Sequence, residues 1–266
     1  MNKTLFIANM KSNWGVFVFI AGMLLVYVVT SVSMFDPESA GAMKAMFDML
    51  PECMMKAFGF DGLGTELTGY LAHYLYGFIF VVFPMIYTIV LSNKLVAKHV
   101  DSGSMAYLLT TPNSRIQIIR TQALYIVISM LVLLSFDVAV LIATSEMIQP
   151  GLLDICPFLA LNLVPYLIIV FVASISFLCS SIFNETKYSI GFGAGIPVIF
   201  FVLKMVSEIS EKLDVFKYFT VYSLLDPDRI LTDNAYTTIL SLILVGASFL
   251  VFSLSIIIFN KRSLAI

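Results

Sequence analysis

The stretch AKHVDSGSMAYLLTTPNSRIQIIR, residues 97–120, lies between two runs apolar enough to cross a bilayer. It carries charge, helix-forming residues, a glycine and a proline where a membrane chain needs only a turn. LVAKHVDSGSMAYLL reads as a short helix along the membrane surface. Leu95, Val96, Met105, Leu108 and Leu109 are available to the bilayer, and Lys98, His99, Asp101 and Ser102 to water. Gly103 removes side-chain bulk where another protein could approach. Thr111 precedes Pro112 and is biased away from helix, which ends the segment there. Asn113 or Ser114 then caps the next helix, with Arg115 and Arg120 anchoring its end among headgroups.

The rest of the chain follows from this membrane context. Of 266 residues 60% are hydrophobic and 12% charged, and the mean hydropathy is +0.98. Soluble domains carry about twice that share of charge, so the chain is read as a polytopic, all-α membrane protein. The net charge of −2 gives no reason to expect a nucleic-acid partner. Cys53, Cys156 and Cys179 are too scattered for a disulfide framework or a zinc site, and no metal centre is expected.

Six windows meet the length of a transmembrane helix, about 20 apolar residues: 14–34, 70–91, 118–143, 155–182, 188–206 and 237–259. The run from Trp14 to Val32 is too long for a signal sequence and reads as a retained first span. Lys204 is expected to snorkel from the outer end of span five. Pro84 and Pro165 are expected to kink spans two and four.

Charge sets the orientation. With both termini inside, the inner segments hold Lys3, Lys11, Lys94, Lys98, Arg115, Arg120, Lys187, Lys261 and Arg262, against Asp101 and Glu185 alone. The outer segments hold six basic residues and fourteen of the seventeen acids. The chain therefore reads as one transmembrane domain, 1–266, N-in and C-in. It has an N-terminal amphipathic segment (1–13), an inner segment (93–112) and outer segments (36–69 and 207–235). Within the outer part, AGAMKAMFDMLPECMMKAFGF (40–60) has the pattern of an interfacial amphipathic helix interrupted at Pro51, and its methionines suit adaptable packing.

The run G-S-M-A-Y-L-L-T-T-P-N-S-R (103–115) resembles the inner loop of permease subunits of ABC-2 type transporters. Those loops carry an acid and a glycine, then leucines, then a Pro-x-Ser-Arg-like step into span three. The short N-terminal segment, six spans and basic end FNKRSLAI (259–266) are similar too. The resemblance implies a coupling helix that docks into a separate ATPase subunit, with Asp101, Ser102, Gly103, Met105 and Tyr107 forming or supporting the contact and Lys98, His99 and Arg115 flanking it. His99 and Gln122 stand where the family often has glutamate and lysine, so the resemblance assigns them no role of their own. It also implies a second permease copy or paralogue, a bacterial plasma membrane and a lean to export. No G-x-x-x-x-G-K-[ST] loop occurs, so the chain is read as a non-enzyme whose partner would bind ATP and magnesium. Amphipathic cargo, with peptides as one class, fits apolar spans better than a small ion does.

Other polar features have competing readings. Asp137, inside LVLLSFDVAVLIA, marks either a substrate path or buried helix contact, or a span riding outward to the headgroups. His73, among Tyr70, Tyr74 and Tyr76, reads as part of an interfacial aromatic belt. Gly191 and Gly195 form a G-x-x-x-G packing step. The rival classes are an ion-coupled secondary transporter, which needs several intramembrane charges, and a membrane scaffold, which needs no ATPase.

Overall fold

The computed structural model describes residues 2–35, 49, 51–57, 66–110, 113–209 and 211–262. Among them all regular structure is helical, and six helices are long and apolar enough to cross a membrane.

Helix α1 (Lys3–Met34) begins where Asn2 Oδ1 accepts the Leu5 amide at 3.1 Å. Within the expected N-terminal amphipathic segment 1–13, residues 3–13 form the first three turns of this helix. A short helix, α2 (Glu52–Ala57), starts directly after Pro51, whose carbonyl accepts from Met54 and Met55. Most of the expected amphipathic helix over 40–60 lies outside the described residues.

Span two is composite. Helix α3 (Leu67–Tyr76) gives way at Gly77–Phe78 to α4 (Ile79–Ser92), so the interruption precedes Pro84 by nearly two turns and the helix runs on through the proline. A π turn, Asn93–Ala97, and a last helical turn, Lys98–Asp101, then continue the span. Only after the turn at Ser102–Gly103 does the short helix α5 (Ser104–Thr110) begin. The expected surface helix starting near Leu95 is thus corrected: Leu95, Val96 and Ala97 are buried as the end of span two. Gly103 has φ +69°, and a β-carbon there would meet open space. Its role within the chain is this left-handed turn.

Helix α6 (Arg115–Ile148) opens with a capping box: Ser114 Oγ accepts the Gln117 amide at 3.2 Å, and Gln117 Oε1 accepts the Ser114 amide at 3.0 Å. Helix α7 (Ile155–Ile182) is the most enclosed of the later spans. Helix α8 (Thr186–Ile209) packs on it through Gly193, where a β-carbon would fall 3.5 Å from the Ser176 carbonyl oxygen. Ser176 Oγ also donates to the Gly193 carbonyl at 2.7 Å. Gly191 and Gly195 face open space, so the packing glycine inside this chain is the intervening one.

After α8 the chain forms 3₁₀ turns over Glu211–Phe219 and Tyr222–Leu224, then α9 (Pro227–Thr232) and the last span, α10 (Asn234–Lys261). Tyr222, Leu225 and Ile230 are buried and fasten this stretch to the bundle. Asp226 and Asp233 cap α9 and α10. Three basic helix ends, the starts of α1 and α6 and the end of α10, meet at one end of the bundle: the Asn2 amide donates to Thr121 Oγ1 at 3.1 Å, and Arg115 Nη1 donates to the Arg262 carbonyl at 3.1 Å.

Gly193→Leu should displace Ser176 and cost about 1–3 kcal/mol. Gly191→Leu and Gly195→Leu should leave the thermal midpoint of the single chain unchanged. Unfolding in detergent, followed by intrinsic fluorescence, compares the three.

Candidate functional site

At the basic end, the π turn, the Gly103 turn and α5 form one ordered junction. Lys98, Asp101, Ser102 and Tyr107 are exposed, Tyr107 at 79%. Met105 is 1% exposed and plugs α5 onto the bundle core. His99 Nδ1 lies 2.8 Å from Ser104 Oγ, and Ser104 Oγ lies 2.8 Å from Ser102 Oγ, so these three side chains brace the turn. Asp101 Oδ2 accepts the Thr186 amide at 3.3 Å. That amide is one of the unpaired donors at the start of α8, so the carboxylate ties the turn to span five.

Arg115 and Arg262 complete the junction. Arg262 donates through Nη1 to the Ser181 carbonyl at 2.6 Å, and through Nη2 to the Phe183 carbonyl at 2.9 Å and to Asn184 Oδ1. Burial lowers the Arg262 guanidinium from its usual value, but guanidinium stays charged in proteins and these acceptors replace its water. In the sequence Arg262 was only one charge of a basic end; nothing local marked it as a clasp. Gln122 likewise gains a partner, since Asn9 Nδ2 donates to its Oε1 within the buried α1–α6 seam.

A second polar region lies toward the acidic end. His73 is 8% exposed and its Nε2 lies 3.1 Å from Asp228 Oδ1. The aromatic-belt reading of His73 is therefore corrected: the ring faces inward onto α9, and neighbouring Tyr70 and Tyr76 are buried too. Lys204 does not snorkel; it is 4% exposed and its ammonium lies 3.1 Å from Glu208. The interruption of span two at Gly77 opens beside these pairs, leaving a polar cavity of about 460 Å³.

Tyr76 lines that cavity and also an apolar cleft of about 370 Å³ between α6 and α7. The tyrosine hydroxyl donates to Asn162 Oδ1 across the cleft. Leu131, Leu159 and Leu163 line the cleft and are each more than 45% exposed, so it opens at the side of the bundle. Asp137 sits on α6 next to Val138, which lines the same cleft. It is fully buried, and neither carboxyl oxygen has a hydrogen-bond partner among the described residues. Its side chain therefore faces protein.

A family model described as ABC-2 family transporter protein matches residues 9–264. No curated protein matches the sequence.

Asp101→Ala should free the Thr186 amide, weakening the start of α8 by about 0.5–2 kcal/mol. Hydrogen exchange over 184–190 should speed up, with Asp101→Asn intermediate.

Proposed function

Because the chain belongs to the ABC-2 family of transporter proteins, a family of multi-pass membrane proteins, we propose that it is the permease subunit of an ATP-driven exporter of amphipathic compounds. It works N-in and C-in in a bacterial plasma membrane, paired with a second permease copy or paralogue. The basic-end junction receives the ATPase subunit: Tyr107 and Lys98 offer contact atoms, Gly103 sets the turn, and Asp101 and Met105 fasten it to the spans. ATP and magnesium stay on that partner.

The observation that carries the cargo class is the double placement of Tyr76. One side of this residue lines a cavity bearing Lys204, Glu208, His73 and Asp228, and the other an apolar cleft open at the side of the bundle. A molecule with a charged part and a greasy part has a matching surface for each. Peptides with separated polar and apolar faces are one such class. Asp137 supplies a carboxyl beside that cleft and is the residue through which an ion-coupled mechanism, the rival reading, would operate.

Co-purification with ATPase subunits encoded beside the gene tests the partnership. Wild type should retain an ATPase in mild detergent and Gly103→Arg should lose it, since arginine strains the left-handed turn and fills its open side. Tyr76→Ala should leave that association intact while abolishing stimulation of ATP hydrolysis by amphipathic peptides in proteoliposomes. A wild-type chain that purifies alone with every candidate would count against the ATP-driven reading.

A further inference from the structure

A separate polar cavity of about 260 Å³ lies between α1 and the end of span two. Its floor is formed by the buried side chains of Asn9 and Asn13 with Leu95, and its rim by Lys94, Lys98 and His99. No carboxylate lines it; the nearest acid in sequence, Asp101, is engaged with the Thr186 amide. Lys94 Nζ is held over the cavity by donating to the Ser12 carbonyl at 2.8 Å, and Lys98 has no ion-pair partner among the described residues. The π turn widens the helix between them, so Lys94, Lys98 and His99 crowd onto one face. The two lysine ammoniums gathered this way repel each other unless an anion joins them.

Depth identifies the anion. Trp14, the single tryptophan, is 59% exposed and lies one residue beyond Asn13, stacked on Phe17. An exposed tryptophan near a span end marks the headgroup level. We propose that this cavity binds a phosphate group, supplied by the headgroup of an anionic phospholipid, and that the bound phosphate bridges α1 to the turn preceding α5. The two ammoniums neutralise the phosphate, and the serine and asparagine side chains that line the cavity complete its hydrogen bonding. This site shares Lys98 with the ATPase-facing surface proposed above, but it does not depend on the cargo assignment.

The full chain, in nanodiscs of phosphatidylcholine with and without phosphatidylglycerol, is compared as wild type, Lys98→Gln and Lys98→Arg by native mass spectrometry after release. Lys98 is exposed and unpaired, so its variants should fold, which the thermal midpoint in phosphatidylcholine checks. Wild type and Lys98→Arg should retain phosphatidylglycerol, and Lys98→Gln should retain about fivefold less. A parallel titration with inorganic phosphate, read by ³¹P NMR, separates the sources: saturable binding there with no lipid retention keeps the phosphate site but makes its ligand soluble. Equal lipid retention and equal phosphate binding in all three chains would overturn the proposal. So would a Lys98→Gln chain that loses only the ATPase, which would make the rim a protein contact.

Discussion

A polar side chain enclosed by apolar helices has no water to turn to, so a partner on a neighbouring helix holds it in place. In this bundle such partnerships fix which helices are neighbours and at what height. Asn9 to Gln122 joins α1 to α6; Tyr76 to Asn162 joins α3 to α7; Ser176 to the Gly193 carbonyl joins α7 to α8. Apolar contact alone would not set these registers, because lipid tails offer leucine and phenylalanine an equivalent surface. The aliphatic and aromatic seams around Leu24, Ile126, Val172 and Phe259 fill the space that the polar pairs define.

The six apolar windows were legible from hydropathy, and span four agrees at both ends with Ile155–Ile182. The start of α6 was legible to within a residue, since Asn113 and Ser114 are both capping types and Ser114 takes the role. Less visible was anything that depends on a partner distant in sequence. His73 among three tyrosines has the composition of an interfacial belt, and only Asp228, 155 residues away, turns it inward. Lys204 near the end of a span has the pattern of a snorkelling lysine until its surroundings are seen to be protein. Gly191 and Gly195 form the recognisable step, yet the seam falls between them, on Gly193, because helix rotation is set by the neighbouring helix and not by the motif.

The basic-end junction was located in sequence but its form was not. Charge and a Gly–Pro-bounded run sufficed to single out 93–112. They did not reveal that its first half completes span two, because a π turn leaves no composition signature. Nor did they reveal the Arg262 clasp, whose acceptors are largely backbone carbonyls and therefore have no residue type to recognise.

That continuity has a mechanical side. From Ile79 to Asp101 the chain is an unbroken helical rod of 23 residues, about 35 Å long at the rise of a helix. Its near end is the Gly77–Phe78 interruption beside Tyr76, and its far end is the Gly103 turn. A rod of that length is a lever whose fulcrum sits next to the polar cavity. A sideways push of about 2 Å at Gly103 becomes a tilt of about 3° at that fulcrum, so a small stroke delivered at one face of the membrane arrives as a change of angle near the other.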